Sequence, residues 1–473
     1  MASPAWYRLD NVGKFYASQA GSSHQTVFRL AAAMTEDVDP AALQRALDAT
    51  VARFPGFNVC LRSGLFWHYL EPAKETPAVQ PETLPICYGL HTGPASVLFR
   101  VTYFARRINV EVSHMISDGR GSLEFLKALV GFYVRERYGV PMGKALPPGA
   151  ETTQTEDSFS ANYDRTAAGT TAQPRIFRLP GWRRDEDFTY LELHYSAAAV
   201  HARAKAAGAT VTSWLIAAVI AAIRAEMPPV ERDRAIHMDV PVDLRSLFGS
   251  ATLRNFFGLA FVTYTPGDAD EPLGAIAAEV QRQLADGTEP AALKRRMMQM
   301  VKLEKNPLVR VAPLFLKDAA LELAARKTAR EVTCTVSSLG RVTFDEAAIP
   351  YVESLSALTS PAGLNFIIST YGDDLCIGVS SRLVSQRTVR NLVRLLAAEG
   401  VEGYANASKD ARAVDRDLRE AQLEERLAGI GASWREQAGA APRRDQGRLG
   451  GAPRREAASA PSASTAARWE VRP

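Results

Sequence analysis

Ser113-His114-Met115-Ile116-Ser117-Asp118-Gly119 places an imidazole four positions ahead of a carboxylate, with a glycine directly behind the carboxylate. Histidine titrates near neutral pH and takes a proton from a hydroxyl or an amine, while a nearby carboxylate fixes the local geometry electrostatically. An H-x-x-x-D-G pattern also arises by chance and then marks an ordinary turn histidine. The elements around it decide what it can do.

Residues 96–104 and 107–113 read as a strand pair turning at Ala105-Arg106, and in the second strand Ile108, Val110 and Val112 alternate with Asn109, Glu111 and Ser113. That strand delivers His114 to the end of a sheet. Beyond Gly121 a helix is expected from Ser122 to about Tyr138-Gly139, with Leu123, Phe125, Leu126, Leu129, Val130 and Tyr133 on one face. The motif thus occupies a strand-to-helix turn, where chemistry is commonly carried on a rigid scaffold. Upstream lie a strand over 24–34, a helix capped by Asp39-Pro40, and a hairpin over 58–70 in which His68 reads as an outward-facing strand histidine. Downstream, 141–180 is rich in Pro, Gly, Thr, Ala and Ser and reads as a long crossover.

The second half is expected to hold a strand from Phe188 to His194, a helix over 197–207, and an apolar helix capped by Thr210 or Thr212. Strands follow over 235–245 and 255–265, helical stretches over 272–305 and 309–328, strands over 332–338, 364–371 and 375–381, and a helix over 385–399. The fold class expected is α/β, with mixed strands and helices in each half and no regular doubly wound alternation. The expected organisation is an N-terminal lobe over 1–150, a crossover linker over 151–185, a C-terminal lobe over 186–404 and a disordered tail over 405–473, helix-compatible at Asp415–Leu427.

The chain has 473 residues, 47% of them hydrophobic, enough for one large core or two ordinary ones. Net charge is +4, and the stretch from Ala405 onward carries 13 basic and 10 acidic residues, so the remainder is almost neutral. That balance argues against a nucleic-acid partner or attraction to an anionic membrane. Cys60, Cys87, Cys334 and Cys376 are widely spaced with no C-x-x-C pair and read as buried free thiols in a reducing compartment. Met1 to Asp10 lacks a basic region followed by an apolar run, and the longest apolar run, Trp214 to Ile223, is too short to span a bilayer. A soluble, cytoplasmic monomer, not an integral membrane protein, is expected.

Four segments in order carry a resemblance: the 113–119 motif; Asp239-Val240-Pro241-Val242-Asp243-Leu244-Arg245; Thr252-Leu253-Arg254-Asn255-Phe256 after it; and Thr335-Val336-Ser337-Ser338-Leu339-Gly340, to which Arg53-Phe54-Pro55 and Phe66-Trp67-His68-Tyr69-Leu70-Glu71-Pro72 near the N-terminus add. Over roughly the first 400 residues the chain resembles the acyltransferase superfamily of chloramphenicol acetyltransferase, plant BAHD acyltransferases and nonribosomal peptide condensation domains, and most of all its bacterial alcohol-acetyltransferase-like branch. The resemblance implies two related lobes with the active site between them. It implies an acyl group, acetyl or longer, moved from coenzyme A to a small-molecule alcohol or amine, with acyl-coenzyme A as co-substrate and no permanently bound cofactor. His114 would be the general base. Asp118 would pair with an arginine of the other lobe, Arg245 first and Arg254 second, and Gly119 would let the backbone pass close beside the channel or adopt a torsion other residues resist. Beside the resemblance, Ser337 or Ser338 reads either as a donor to the oxyanion or lining of the donor channel, or equally as a serine at an ordinary strand end.

Three departures qualify the resemblance. Ser113 stands where condensation domains carry a second histidine, weakening the alternative of a carrier-protein-dependent enzyme; the Asp-Phe-Gly-Trp-Gly segment of BAHD enzymes is absent; and Ser338 replaces a common asparagine. A silent ligand-binding relative is the remaining alternative. No G-x-S-x-G elbow occurs. Lys294-Arg295-Arg296 with Lys302 and Lys305 reads as a solvated basic face, with coenzyme A phosphate contact as the weaker option. His194, His201 and His237 lack metal-ligand spacing, so no metal is expected.

Overall fold

A computed structural model describes residues 6–20, 25–141, 151–163, 175–181, 188–267, 271–408 and 469–470. Val27–Met34, Phe99–Phe104 and Arg107–Ser113 are antiparallel neighbours in a five-stranded sheet ordered Val352–Thr359, Val27–Met34, Arg107–Ser113, Phe99–Phe104, Gln80–Pro81. Asp39 accepts from the Ala41 and Ala42 amides and starts the helix Pro40–Arg53, with proline in its first turn where no amide partner is needed. This helix and Gly119–Tyr138 bury Leu43, Leu47, Val51, Phe125, Leu126 and Leu129 in one core with the sheet.

The second sheet has eight strands, in the order Phe257–Tyr264, Ile236–Asp243, Cys334–Val342, Leu364–Tyr371, Asp374–Ser381, Thr189–Ser196, Gly403–Ser408, Trp469–Glu470. All its pairings are antiparallel except those of Cys334–Val342, which runs parallel to both neighbours. Parallel neighbours require crossovers. One is made by the helices Leu273–Gly287, Pro290–Glu304, Pro307–Val311 and Leu314–Thr328. The other runs out to the first sheet, where Val352–Thr359 pairs with Val27–Met34, and returns as Leu364–Tyr371. The two sheets therefore do not divide the sequence at a single point. Val211–Arg224, Leu273–Gly287 and Arg387–Ala398 cover the second sheet with Trp214, Ile216, Ile220, Ile276, Val280 and Leu392.

Several expectations change. Val352–Thr359 and Gly403–Ser408 are strands that periodicity does not announce. The 272–305 stretch breaks before Pro290 and the 309–328 stretch before Leu314, each where a proline cannot continue the previous helix. His68 does not face outward: its Nδ1 lies 3.0 Å from Ser63 Oγ and its Nε2 3.1 Å from Asp318 on the helix Leu314–Thr328. All four cysteines are free and buried. Asp415–Leu427 and most of the 405–473 tail lie outside the described residues. Among the described residues no single helix is long and apolar enough to cross a membrane.

Candidate active site

The strand Arg107–Ser113 ends at the motif, and the His114 amide donates to the Thr26 carbonyl at 2.9 Å, carrying the sheet edge one residue further. Asp118 then caps the helix Gly119–Tyr138 by accepting from the Gly121 amide at 2.9 Å. These two anchors hold the turn from the first half of the chain. A second set of ties comes from 252–256. Ser117 Oγ donates to the Leu253 carbonyl at 2.7 Å, Arg254 Nη1 to the Ile116 carbonyl at 3.3 Å, and the Phe256 amide to Asp118 Oδ2 at 2.9 Å.

His114 is buried among rings, stacked on Tyr16 at a centroid distance of 4.0 Å, with Phe28 at 4.6 Å and Phe257 at 5.6 Å. Its Nδ1 lies 2.7 Å from Asn255 Oδ1. Burial pushes the imidazole down to about 4, with the Asp118 carboxylate and the Asn255 hydrogen bond only partly offsetting it. The ring is therefore neutral at physiological pH, the state that accepts a proton. Burial, reinforced by Asp239, likewise holds the Tyr16 phenol well above its usual value.

Asp118 does not reach the imidazole through a hydrogen bond; it faces the second half of the chain. Arg245 Nη2 stands 3.0 Å from both of its oxygens, and the same guanidinium donates to the Thr252 and Arg254 carbonyls at 2.7 Å and to Asp243 at 2.8 Å. Burial lowers the Arg245 guanidinium, but Asp118 and Asp243 outweigh it, so the group is held more strongly charged than usual. Arg254, the second candidate partner, is buried instead over the Tyr7 ring, and burial lowers it to about 10.

Gly119 adopts no left-handed torsion, and a Cβ there would meet Leu339 at 3.4 Å, an ordinary contact. The glycine that the turn requires is Gly121, where a Cβ would fall on the Leu253 carbonyl oxygen and Ser117 Oγ. Ser337 and Ser338 lie half-buried on Cys334–Val342, just before the register shift at Gly340. Ser338 Oγ accepts from the Gly340 amide at 3.3 Å, and the following Leu339 reaches the motif helix beside Gly119. Asn255 and Asp10 complete the surroundings of His114. Asn255 lies in a segment that carries the family resemblance, yet nothing in its local pattern signals contact with the imidazole. Asp10 caps the helix Asn11–Ala17, accepting from the Gly13 amide at 2.6 Å, and no spacing in the sequence links it to the motif. The basic stretch is not uniformly solvated: Arg296 donates to the Leu259 and Gly287 carbonyls at 2.9 and 3.0 Å, and Lys305 lies over Tyr163. Among the described residues no group of three or more His, Cys, Asp or Glu side chains is arranged to hold a metal.

Residues 188–380 match the family described as phthiocerol/phthiodiolone dimycocerosyl transferase C-terminus. No curated protein sequence matches the chain. Among solved structures it is similar to polyketide synthase associated protein 5 from Mycobacterium tuberculosis, at 14% identity and TM-score 0.55 over 82% of this chain and 97% of that one. F. graminearum TRI101 complexed with coenzyme A and deoxynivalenol aligns at 16% identity and TM-score 0.57 over 83% and 97%. The first condensation domain of the calcium-dependent antibiotic synthetase, in complex with a substrate analogue, aligns at 15% identity and TM-score 0.57 over 84% and 97%. With its mixed sheets and the family match over 188–380, the chain has the two-lobed α/β fold of the chloramphenicol acetyltransferase-like, BAHD and condensation-domain acyltransferases.

Proposed function

We propose that the protein moves an acyl group, acetyl or longer, from a coenzyme A thioester to an alcohol or amine, with His114 as the general base. The observation that carries this reading is a neutral, buried imidazole whose Nδ1 is engaged by Asn255 at 2.7 Å. His114 Nε2 takes the proton of the acceptor O–H or N–H as the oxygen or nitrogen bonds to the thioester carbonyl carbon. The tetrahedral oxyanion then collapses, the carbon–sulfur bond breaks, and the imidazolium returns the proton to the leaving thiolate. A thioester is already electrophilic, so positioning and acceptor activation carry the catalysis. Ser337 and Ser338 are assigned to the oxyanion or the donor channel. Asp118 and Arg245 are assigned to holding the motif turn.

Thiol release from acetyl-coenzyme A, measured with and without a panel of alcohols and amines, tests this reading. Acceptor-dependent release supports it. Acceptor-independent release identifies a thioester hydrolase. Turnover only with a carrier-protein thioester moves the donor to the condensation type, and no turnover with either donor identifies a silent binding relative.

A further inference from the structure

Asn255 lies just ahead of the strand Phe257–Tyr264, and Asp10 caps the helix Asn11–Ala17, whose Tyr16 stacks on His114. We infer that Asp10 and Asn255 form a relay that fixes the His114 imidazole as its Nδ1–H tautomer and leaves the lone pair on Nε2. They are thus positioning residues for the proton-transfer step. The kinetic part of this inference rests on His114 being the base; the tautomer does not.

The acceptors around Asn255 fix the orientation of its amide. Asn255 Nδ2 lies 3.1 and 3.3 Å from the Asp10 carboxylate oxygens and 3.0 Å from the His114 main-chain carbonyl. An ionised carboxylate and a carbonyl only accept, so the NH2 end of the amide belongs there. Its oxygen is then the atom facing His114 Nδ1 at 2.7 Å, and an amide oxygen only accepts. Nδ1 must therefore carry the hydrogen. A neutral imidazole has only one, so Nε2 has none.

The amide is also restrained against flipping. Asn255 donates its own main-chain N–H to Asp10 Oδ2 at 3.2 Å, while Asp10 Oδ1 accepts from the Gly13 amide at 2.6 Å. Asp10 thus grips the helix that stacks on the imidazole and the residue that orients it. The charged groups facing Asp10 are Arg254, which favours the carboxylate, and Asp157, which opposes it. Burial dominates and raises Asp10 to about 6. Below that pH its proton removes one obligatory acceptor, and the amide orientation loosens.

Long-range 1H–15N correlation on the full-length protein labelled at its seven histidines reads the tautomer directly, with the His114 signal assigned by its loss in His114→Ala. The wild-type signal is expected to show a protonated Nδ1 and an unprotonated Nε2, and Asn255→Ala or Asp10→Asn is expected to mix or reverse that pattern. A wild-type Nε2–H form overturns the inference, as does an unchanged pattern in folded Asn255→Ala. Neither reading needs turnover, so a failed transferase assay leaves this test standing. In kinetics, Asn255→Ala is expected to lower kcat about 10- to 100-fold with KM for the thioester nearly unchanged. A mixed tautomer at full kcat overturns the positioning role.

Discussion

His114 and Asp118 stand four positions apart, yet they face different partners. His114 lies among Tyr16, Phe28, Phe257 and Asn255, while Asp118 is held by Arg245, the Gly121 amide and the Phe256 amide. Their substitutions should therefore fail in different ways. Arg245→Ala breaks a pair with side-chain exposures of 11% and 6%, and loss of one member of a buried pair costs about 3–5 kcal/mol. We expect the unfolding free energy to fall by that amount, read as a lower midpoint of chemical denaturation, with thioester turnover falling through loss of folded protein. An unchanged midpoint would remove the structural role of Arg245. For His114 the folded value is about 4 against an ordinary 6.5, so the unfolded chain binds the extra proton more tightly. Its contribution to stability is present above pH 6.5 and is lost as pH falls through about 4. For the same reason the acid limb of kcat/KM is expected below pH 6.5; an inflection at or above 6.5 would contradict the buried, neutral base.

The strand-to-helix turn was legible at the element scale because the period-2 strand 107–113 and the apolar helix face after Gly121 both leave local signatures. The lacing of that turn by 252–256 was not, since Ser117, Arg254 and Phe256 bind across the fold through main-chain atoms that no spacing encodes. Gly121 shows the same limit. The sequence draws the eye to Gly119, which follows the carboxylate, but only the packed structure reveals that a side chain at 121 would strike Leu253 and Ser117. Gly121→Ala should lose at least about 1–3 kcal/mol by overpacking and weaken transfer by displacing the turn, whereas Gly119→Ala should be near neutral in thermal melts. Equal melting temperatures for the two variants would refute this distinction.

Across the whole molecule, the halves are joined by backbone as well as side chains. Val352–Thr359 leaves the second half to become the edge of the first sheet, and Gly378 on Asp374–Ser381 packs against the Ala357 carbonyl so closely that no Cβ fits. Beside it, Arg107 donates to Glu192 at 2.6 and 3.1 Å and to Ser356 at 2.9 Å. Glu192 lies 4.0 Å from His194 Nε2, and His194 Nδ1 is 2.9 Å from Asp374. Burial alone would lower His194, but Asp374, Cys376 and Glu192 hold it up at about 12. A raised folded value stabilises below the unfolded value of 6.5 and is lost as pH rises towards about 12. His194→Gln should flatten the alkaline decline in melting temperature; an unchanged decline would refute that assignment. The strands 364–371 and 375–381 were legible from their own residues, but an edge strand lent to another sheet has the same local pattern as any other strand. The central claim is most directly tested by acceptor-dependent thiol release in folded His114→Ala beside the wild type. Loss of the base predicts a fall in kcat of about 10^2- to 10^4-fold per folded molecule, and transfer at the wild-type rate would contradict it.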